Sequence, residues 1–342
     1  MSSIILNTFV FDEPDHQPSS STTPWVSSER NFDEYGIHVL FQLSNFTQPD
    51  SRSIILPALR LASRMLECER AFPIWHAIFD ADDDETKVPA EECVPGGLSN
   101  EHYLLAFGPR QDHSAAAARD SIAEMWRLVA QNLAIGWREM EGSGDCRTGM
   151  RGDGQPHSSL FLSTTLKHRI LFAEGPGNPG YDWAQLMVAS TMVHELTHAA
   201  MQRFRDDGLH RRMPPSRAYR VACCDTSEEG FEVEKAIFGG IPGFQAVRNH
   251  SRGAKFVPTL LQWPDPTIVA HYQQSHGICA RNVPSEVAPR SFQMPWEFIF
   301  GLFTAAPSTP LTSLAVEDLT PLRDLGPVCD ASEVFSAHGV EG

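Results

Sequence analysis

Basic side chains are scarce in this chain. Lysine and arginine number 27 against 43 aspartates and glutamates, a net charge of −16. Phosphate recognition depends on Lys and Arg and on the counterions they release, so the balance argues against a nucleic-acid partner. It argues equally against docking on anionic lipid. Long apolar runs are also missing. No stretch approaches the ~18 residues that mark a membrane span, so no membrane partner is expected. The opening apolar stretch, Ile4 to Leu6, is far shorter than a signal h-region and has no basic residue before it. There is no Cys-x-x-Cys pair, and the seven cysteines are odd in number and irregularly spaced. A disulfide framework is therefore not expected, and reduced thiols in a cytoplasmic setting are. The glycine-rich stretch 142–154 lacks the Gly-Lys-Ser/Thr end of a phosphate loop and reads as a flexible connection. There is no internal repeat.

The residues that are present suit a folded protein. Hydrophobic residues make up 42%, enough to bury a core and to exclude global disorder. Residues 1–31, rich in Pro, Ser, Thr and acids over 12–31, read as an extended N-terminal segment, and 32–342 as the folded unit. Apolar residues recur at helical spacing over 53–79. Pro57 falls in the first turn, where it is tolerated, and Pro73 ends or kinks the helix. The acidic stretch 80–92 has Asp80, Asp82, Asp84 and Glu91 at calcium-loop spacing. Glu85, however, stands where the sharp turn needs glycine, so a solvated loop is the better reading. Residues 115–140 read as one amphipathic helix with Ile122, Met125, Trp126, Val129, Leu133 and Trp137 on its apolar face. The strongest strand signal is 158–173. A turn at 175–180 precedes a helix over 182–205, started by Asp182 with Gln185 three residues on. Short helical pieces are expected near 256–262 and 295–304. The sum is an α+β class, mostly helical with a small twisted sheet.

Inside the 182–205 helix stands His194-Glu195-Leu196-Thr197-His198. At ~3.6 residues per turn, positions four apart lie about 40° apart on one face. Two imidazoles there can hold one metal ion at ~2.0–2.1 Å each. Glu195, beside the first, is placed to take a proton from a metal-activated water as general base. The helix is apolar on both sides of the motif, so these polar groups are buried and need partners. A catalytic zinc takes a further protein ligand. The chain after His198 has neither the HxxGxxH extension nor a GTxxxxD pattern. Farther downstream lies the acidic stretch 225–234, with Glu228, Glu229, Glu232 and Glu234. Glu228 and Glu232 share a helix face, which suits one carboxylate on the metal and one behind a ligand histidine. The plainer alternative is an acidic first turn stabilised by the helix dipole. Cys223 and Cys224 read as small buried side chains rather than ligands. His210, Tyr219, His271, Tyr272 and His276 are candidates to stabilise an oxyanion, with Tyr219 preferred because it lies between the two motif segments.

With HELTH on one helix and a glutamate segment after it, the chain resembles the gluzincins. It is also similar to a group of fungal zincin-like proteins in which HExxH is followed by E-x-G-F-x-x-E and then F-G-G. Here those segments read Glu228-Glu229-Gly230-Phe231-Glu232-Val233-Glu234 and Phe238-Gly239-Gly240, and the match spans 185–240. The NExxSD-type helix of other gluzincins is absent. The resemblance implies a zincin-like catalytic domain over 32–342, with the HExxH helix at 182–205 and a third-ligand helix at 226–238. It implies Zn2+ held by His194, His198 and Glu228, with Glu229 and Glu232 the alternatives for the third ligand. It makes Glu195 the general base and gives Glu234 a structural or supporting place. The implied activity is zinc-dependent hydrolysis of a peptide or amide bond, in a peptide or small-molecule amide substrate. The same residues leave two rivals. One is a zinc or non-haem iron tailoring enzyme of a secondary-metabolite pathway. The other is a non-catalytic binding protein that keeps the fold, which the intact Glu195 argues against.

Overall fold

A computed structural model describes residues 32–33, 35–79, 85–89, 103–107, 115–140, 142–150, 156–173, 175–205, 220–221, 229–249, 253–261, 291–305, 311, 320–321 and 328–329. The architecture is α+β. Helices α1 (Asp50–Ile54), α2 (Leu56–Leu66) and α3 (Phe72–Phe79) precede strands β1 (Glu85–Pro89) and β2 (Tyr103–Phe107). Helix α4 (Ala115–Ala130) leads into β3 (Leu133–Arg138), β4 (Gly144–Met150) and β5 (Pro156–Ser163). Helices α5 (Thr164–Phe172) and α6 (Pro179–Arg205) come next, then β6 (Arg220–Val221) and α7 (Glu229–Phe238). The hairpin β7 (Ile241–Asn249) and β8 (Gly253–Leu261) precedes β9 (Ser291–Gln293), α8 (Trp296–Thr304), β10 (Thr320–Pro321) and β11 (Val328–Cys329). Among the described residues, no helix is long and apolar enough to cross a membrane.

Helix α6 is the axis of the fold. Its apolar residues go all the way round: Trp183, Leu186, Val188, Met192, Val193, Leu196 and Ala200 are all buried. A helix apolar on every side must be enclosed. Helices α2, α3, α5, α7 and α8 pack on it, as do β4 and β5. Its start lies three residues before Asp182, because Asn178 supplies the cap: Oδ1 accepts from Gly180 N at 2.9 Å and Tyr181 N at 3.3 Å. Asp182 Oδ1 instead accepts from Gly177 N in the preceding turn. The expected 53–79 helix is broken twice, at Ile55 and at Cys68, and Pro73 lies in the first turn of α3 rather than at a break. The first break is held by Gln185 of α6, whose Oε1 accepts from Ala58 N at 3.1 Å while Nε2 donates to Ile54 O at 2.9 Å. One buried side chain thus satisfies a helix end and a helix start together. Trp75 and Trp126 meet edge to face at 5.0 Å in the core between α3 and α4.

Three expectations for the middle of the chain are corrected. The 115–140 helix ends at Ala130, and Leu133 and Trp137 belong to β3. The strand read over 158–173 is β5 and ends at Ser163, whose Oγ accepts from Thr165 N and starts α5. The stretch read as a flexible glycine-rich connection contains β4. These strands form one sheet in the order β3-β5-β4, with β3 parallel and β4 antiparallel to β5. The central strand is therefore β5, and among the described strands β3 and β4 lie at the two edges. On the outer face, Arg138 pairs with Asp145 and lies over the Phe161 ring at 4.4 Å. Ser158, Leu160 and Leu162 point the other way and are buried.

Elsewhere, part of the expected acidic loop is β1, which pairs antiparallel with β2 in the sheet β1-β2-β6. The piece expected to be helical near 256–262 lies in β8 within the sheet β10-β9-β8-β7-β11. The helix expected at 295–304 is α8. The Phe-Gly-Gly segment ends α7: Gly239 takes φ 84° and its N donates to Lys235 O at 2.7 Å. At Gly240 a Cβ would stand 2.6 Å from Leu261 O, so the bare backbone lets the helix turn directly into the hairpin. Residues 1–31 and the 226–228 start of the expected third-ligand helix lie outside the described residues.

Candidate metal centre

Helix α6 brings His194, Glu195 and His198 together within one turn. His194 Nε2 and His198 Nε2 are 3.1 Å apart, with the rings edge to face at 4.9 Å. Two nitrogens bound tetrahedrally to one zinc at ~2.0–2.1 Å would stand about 3.3–3.4 Å apart. The observed spacing is close to that, and two imidazole nitrogens aimed at each other suit a shared cation. Glu195 is buried at 8% exposure.

The row Ser190, His194, His198 and the row Thr191, Glu195 are neighbouring faces of α6, because residues four apart align. Different elements cover them. Helix α7 covers the first. Three of its residues meet one imidazole: Gly230, whose Cβ would lie 2.3 Å from His194 Nδ1, Phe231, whose ring is edge to face at 4.8 Å, and Glu234. Glu234 Oε1 is 3.4 Å from His194 Nδ1 and accepts from Ser190 Oγ at 2.9 Å. Glu234 is buried at 5% exposure. A buried carboxylate beside Nδ1 favours the proton on that nitrogen and puts the ring's lone pair on Nε2, the atom that faces His198. Behind His194 stands Glu234, in the supporting place expected of it, and not Glu232. The physical reason is rotation: two residues turn a helix by about 200°, so Glu232 leaves α7 on the flank opposite Gly230 and Glu234.

Strand β4 covers the second face. At Gly144 a Cβ would lie 2.4 Å from Thr191 Cγ2 and 3.0 Å from both Cγ and Oε1 of Glu195. The sheet edge therefore runs against the general-base candidate. Cys146, on the same side of the strand, is in the field of that carboxylate. Burial pushes its thiol up to about 12, with Glu195 and Asp145 adding to the effect, so it is a neutral thiol.

Among the described residues, no three His, Cys, Asp or Glu side chains converge on a point that could hold a metal ion. Glu228 and Tyr219 lie outside the described residues, as do His210, His271, Tyr272, His276, Cys223 and Cys224. Glu229 opens α7. The pair His194 and His198, with Glu195 beside it, is the part of the expected set that the structure assembles. Gly144, Cys146, Ser190 and Thr191 carry no motif signal in the sequence and enter the site only through the packing of β4 and α7. Comparison of the chain with protein families, with curated proteins and with solved structures finds no match.

Proposed function

We propose that this chain is a zinc-dependent hydrolase of a peptide or amide bond, with a zincin-like arrangement of its site. One observation carries the reading: two imidazole Nε2 atoms 3.1 Å apart on a buried helix, with a buried carboxylate behind one and a buried glutamate next to it in the chain. His194 and His198 would hold the metal, and Glu228 remains the expected third ligand. Zinc bound there would supply a Lewis acid and lower the pKa of a water towards ~7. Glu195, next to His194 in the chain, would be the general base, the group to take a proton from an attacking water and return it to the leaving amine. Glu234 keeps His194 in the Nδ1-protonated tautomer. The edge strand β4 pairs only with β5 among the described strands, so its outer side offers backbone groups to an extended peptide, next to Glu195. That position supports a peptide-like substrate over a compact small molecule.

Metal analysis of the purified protein and hydrolysis of a mixed peptide library test this. One zinc per chain and cleavage of the library are expected. Glu195→Gln is expected to keep the zinc and lose about 10²–10⁴-fold in kcat, the share that general-base catalysis supplies. Iron in place of zinc would favour the tailoring-enzyme alternative, and undiminished cleavage by the variant would end the mechanism.

A further inference from the structure

We infer that Gly144 and Gly230 are positioning residues of this centre, two bare backbone sites through which the sheet edge and α7 close on the HExxH turn. The inference rests on the proposed roles of His194, Glu195 and His198. Its basis is steric. His194 and Glu195 are consecutive on α6 and project about 100° apart. Each is met by a glycine from a different element. The α7 backbone crosses His194 so closely that a Cβ at Gly230 would lie 2.3 Å from Nδ1, 2.4 Å from Cγ and 2.6 Å from Cδ2. The β4 backbone crosses Glu195 so closely that a Cβ at Gly144 would lie 3.0 Å from its Oε1.

Both positions are poor places for glycine on local grounds. Within a helix it is among the poorest formers, second only to proline. Within a strand it weakens the element and marks a close backbone approach. Both costs fall at the same two residues of the site. The consequence at each is specific. At Gly230 the contact is with the imidazole itself, one helical turn before Glu234 reaches the same ring. Any side chain there must rotate His194 or lift α7, and either motion separates Nδ1 from Glu234. At Gly144 the contact involves the carboxylate and Thr191, its neighbour one turn earlier. A side chain there must displace the Glu195 head group from the sheet edge, where a substrate would lie.

A third tight glycine provides the control. A Cβ at Gly240 would meet Leu261 O at 2.6 Å, in the hairpin beyond the far end of α7. Gly230→Ala, Gly144→Ala and Gly240→Ala are compared for thermal stability, for zinc affinity by chelator competition, and for His194 ring ¹⁵N shifts in metal-free protein. All three variants lose stability. Gly240→Ala is expected to keep wild-type zinc affinity and the Nδ1-protonated His194. Gly230→Ala is expected to lose that tautomer preference and to bind zinc about 10-fold more weakly or worse, as when a group behind a metal-bound histidine is disturbed. Gly144→Ala is expected to keep the zinc affinity but lose about 10²-fold in kcat, the effect of misplacing a reacting group by ~1 Å. Adding Thr191→Ser removes the nearest clash, so the double variant should recover stability and not kcat.

Unchanged shifts and affinity in Gly230→Ala, or a kcat that recovers with stability in the Gly144→Ala, Thr191→Ser pair, would overturn the role of that glycine. The Gly144 arm decides if Gly230→Ala does not fold. The ring shifts and zinc affinity need no turnover, so a wild-type protein without hydrolytic activity sinks the proposed function and still leaves Gly230 to be judged.

Discussion

Glu234 joins two helices through a single oxygen: Oε1 accepts from Ser190 Oγ at 2.9 Å and lies 3.4 Å from His194 Nδ1. On the proposed reading, its charge strengthens His194 as a ligand. Glu234→Gln keeps an acceptor for Ser190 and removes the charge. Zinc affinity is then expected to fall about 10-fold or more, measured by competition with a chromophoric chelator. Glu232→Gln, on the opposite flank of α7, is expected to leave that affinity unchanged. The difference between these two glutamates could not be read from the sequence. The alignment of His194 with His198 is local, because four residues on any α-helix bring side chains into register. Which face α7 turns toward His194 is not local. It is set by the rotation of α7 about its own axis, and Gly230 decides that rotation by letting the backbone approach the ring.

The same contrast recurs among the elements. Most of helix α6 was legible because its length and unbroken apolar character lie within its own residues, but its start was not: Asn178, before the helix, supplies the cap expected of Asp182. The strands β3 and β4 were not. Leu133 and Trp137 fit a helical face as well as a strand, and only pairing with β5 makes them β3. Gly144 to Met150 has little strand propensity, and seven backbone pairings to β5 make it β4. The broken helix α1–α2 depends likewise on a distant residue, since Gln185 reaches both Ile54 O and Ala58 N. Gln185→Leu keeps the volume and removes both bonds. It is expected to cost about 1–3 kcal/mol, the penalty for leaving buried polar groups unmet, in urea unfolding followed by circular dichroism.

Across the whole molecule, two buried groups set opposing pH dependences. His38 is enclosed by Phe32 and Phe41 and hydrogen-bonded through Nδ1 to Leu40 N, and burial lowers it from 6.5 to about 3, with Arg127 contributing. Between those values the unfolded chain binds the proton and the folded chain does not, so stability falls as pH falls through that window. Asp182 has the reverse sign. Burial raises its carboxyl from 3.8 to about 6, so the folded state holds the proton there and stability falls as pH rises through that window. Urea unfolding from pH 7 to 4 is expected to show a flatter acid limb for His38→Gln and a steeper one for Asp182→Asn than for the wild type. The sequence by itself determined the α+β class, the buried α6 and the alignment of His194, Glu195 and His198, because composition, apolar periodicity and helical spacing act over a few residues. Only the tertiary structure decided that β4 lies at a sheet edge among the described strands, that Glu234 stands behind His194, and that the Gly144 and Gly230 backbones press on Glu195 and His194. Those outcomes are close approaches between elements far apart in the chain, and no local preference encodes them.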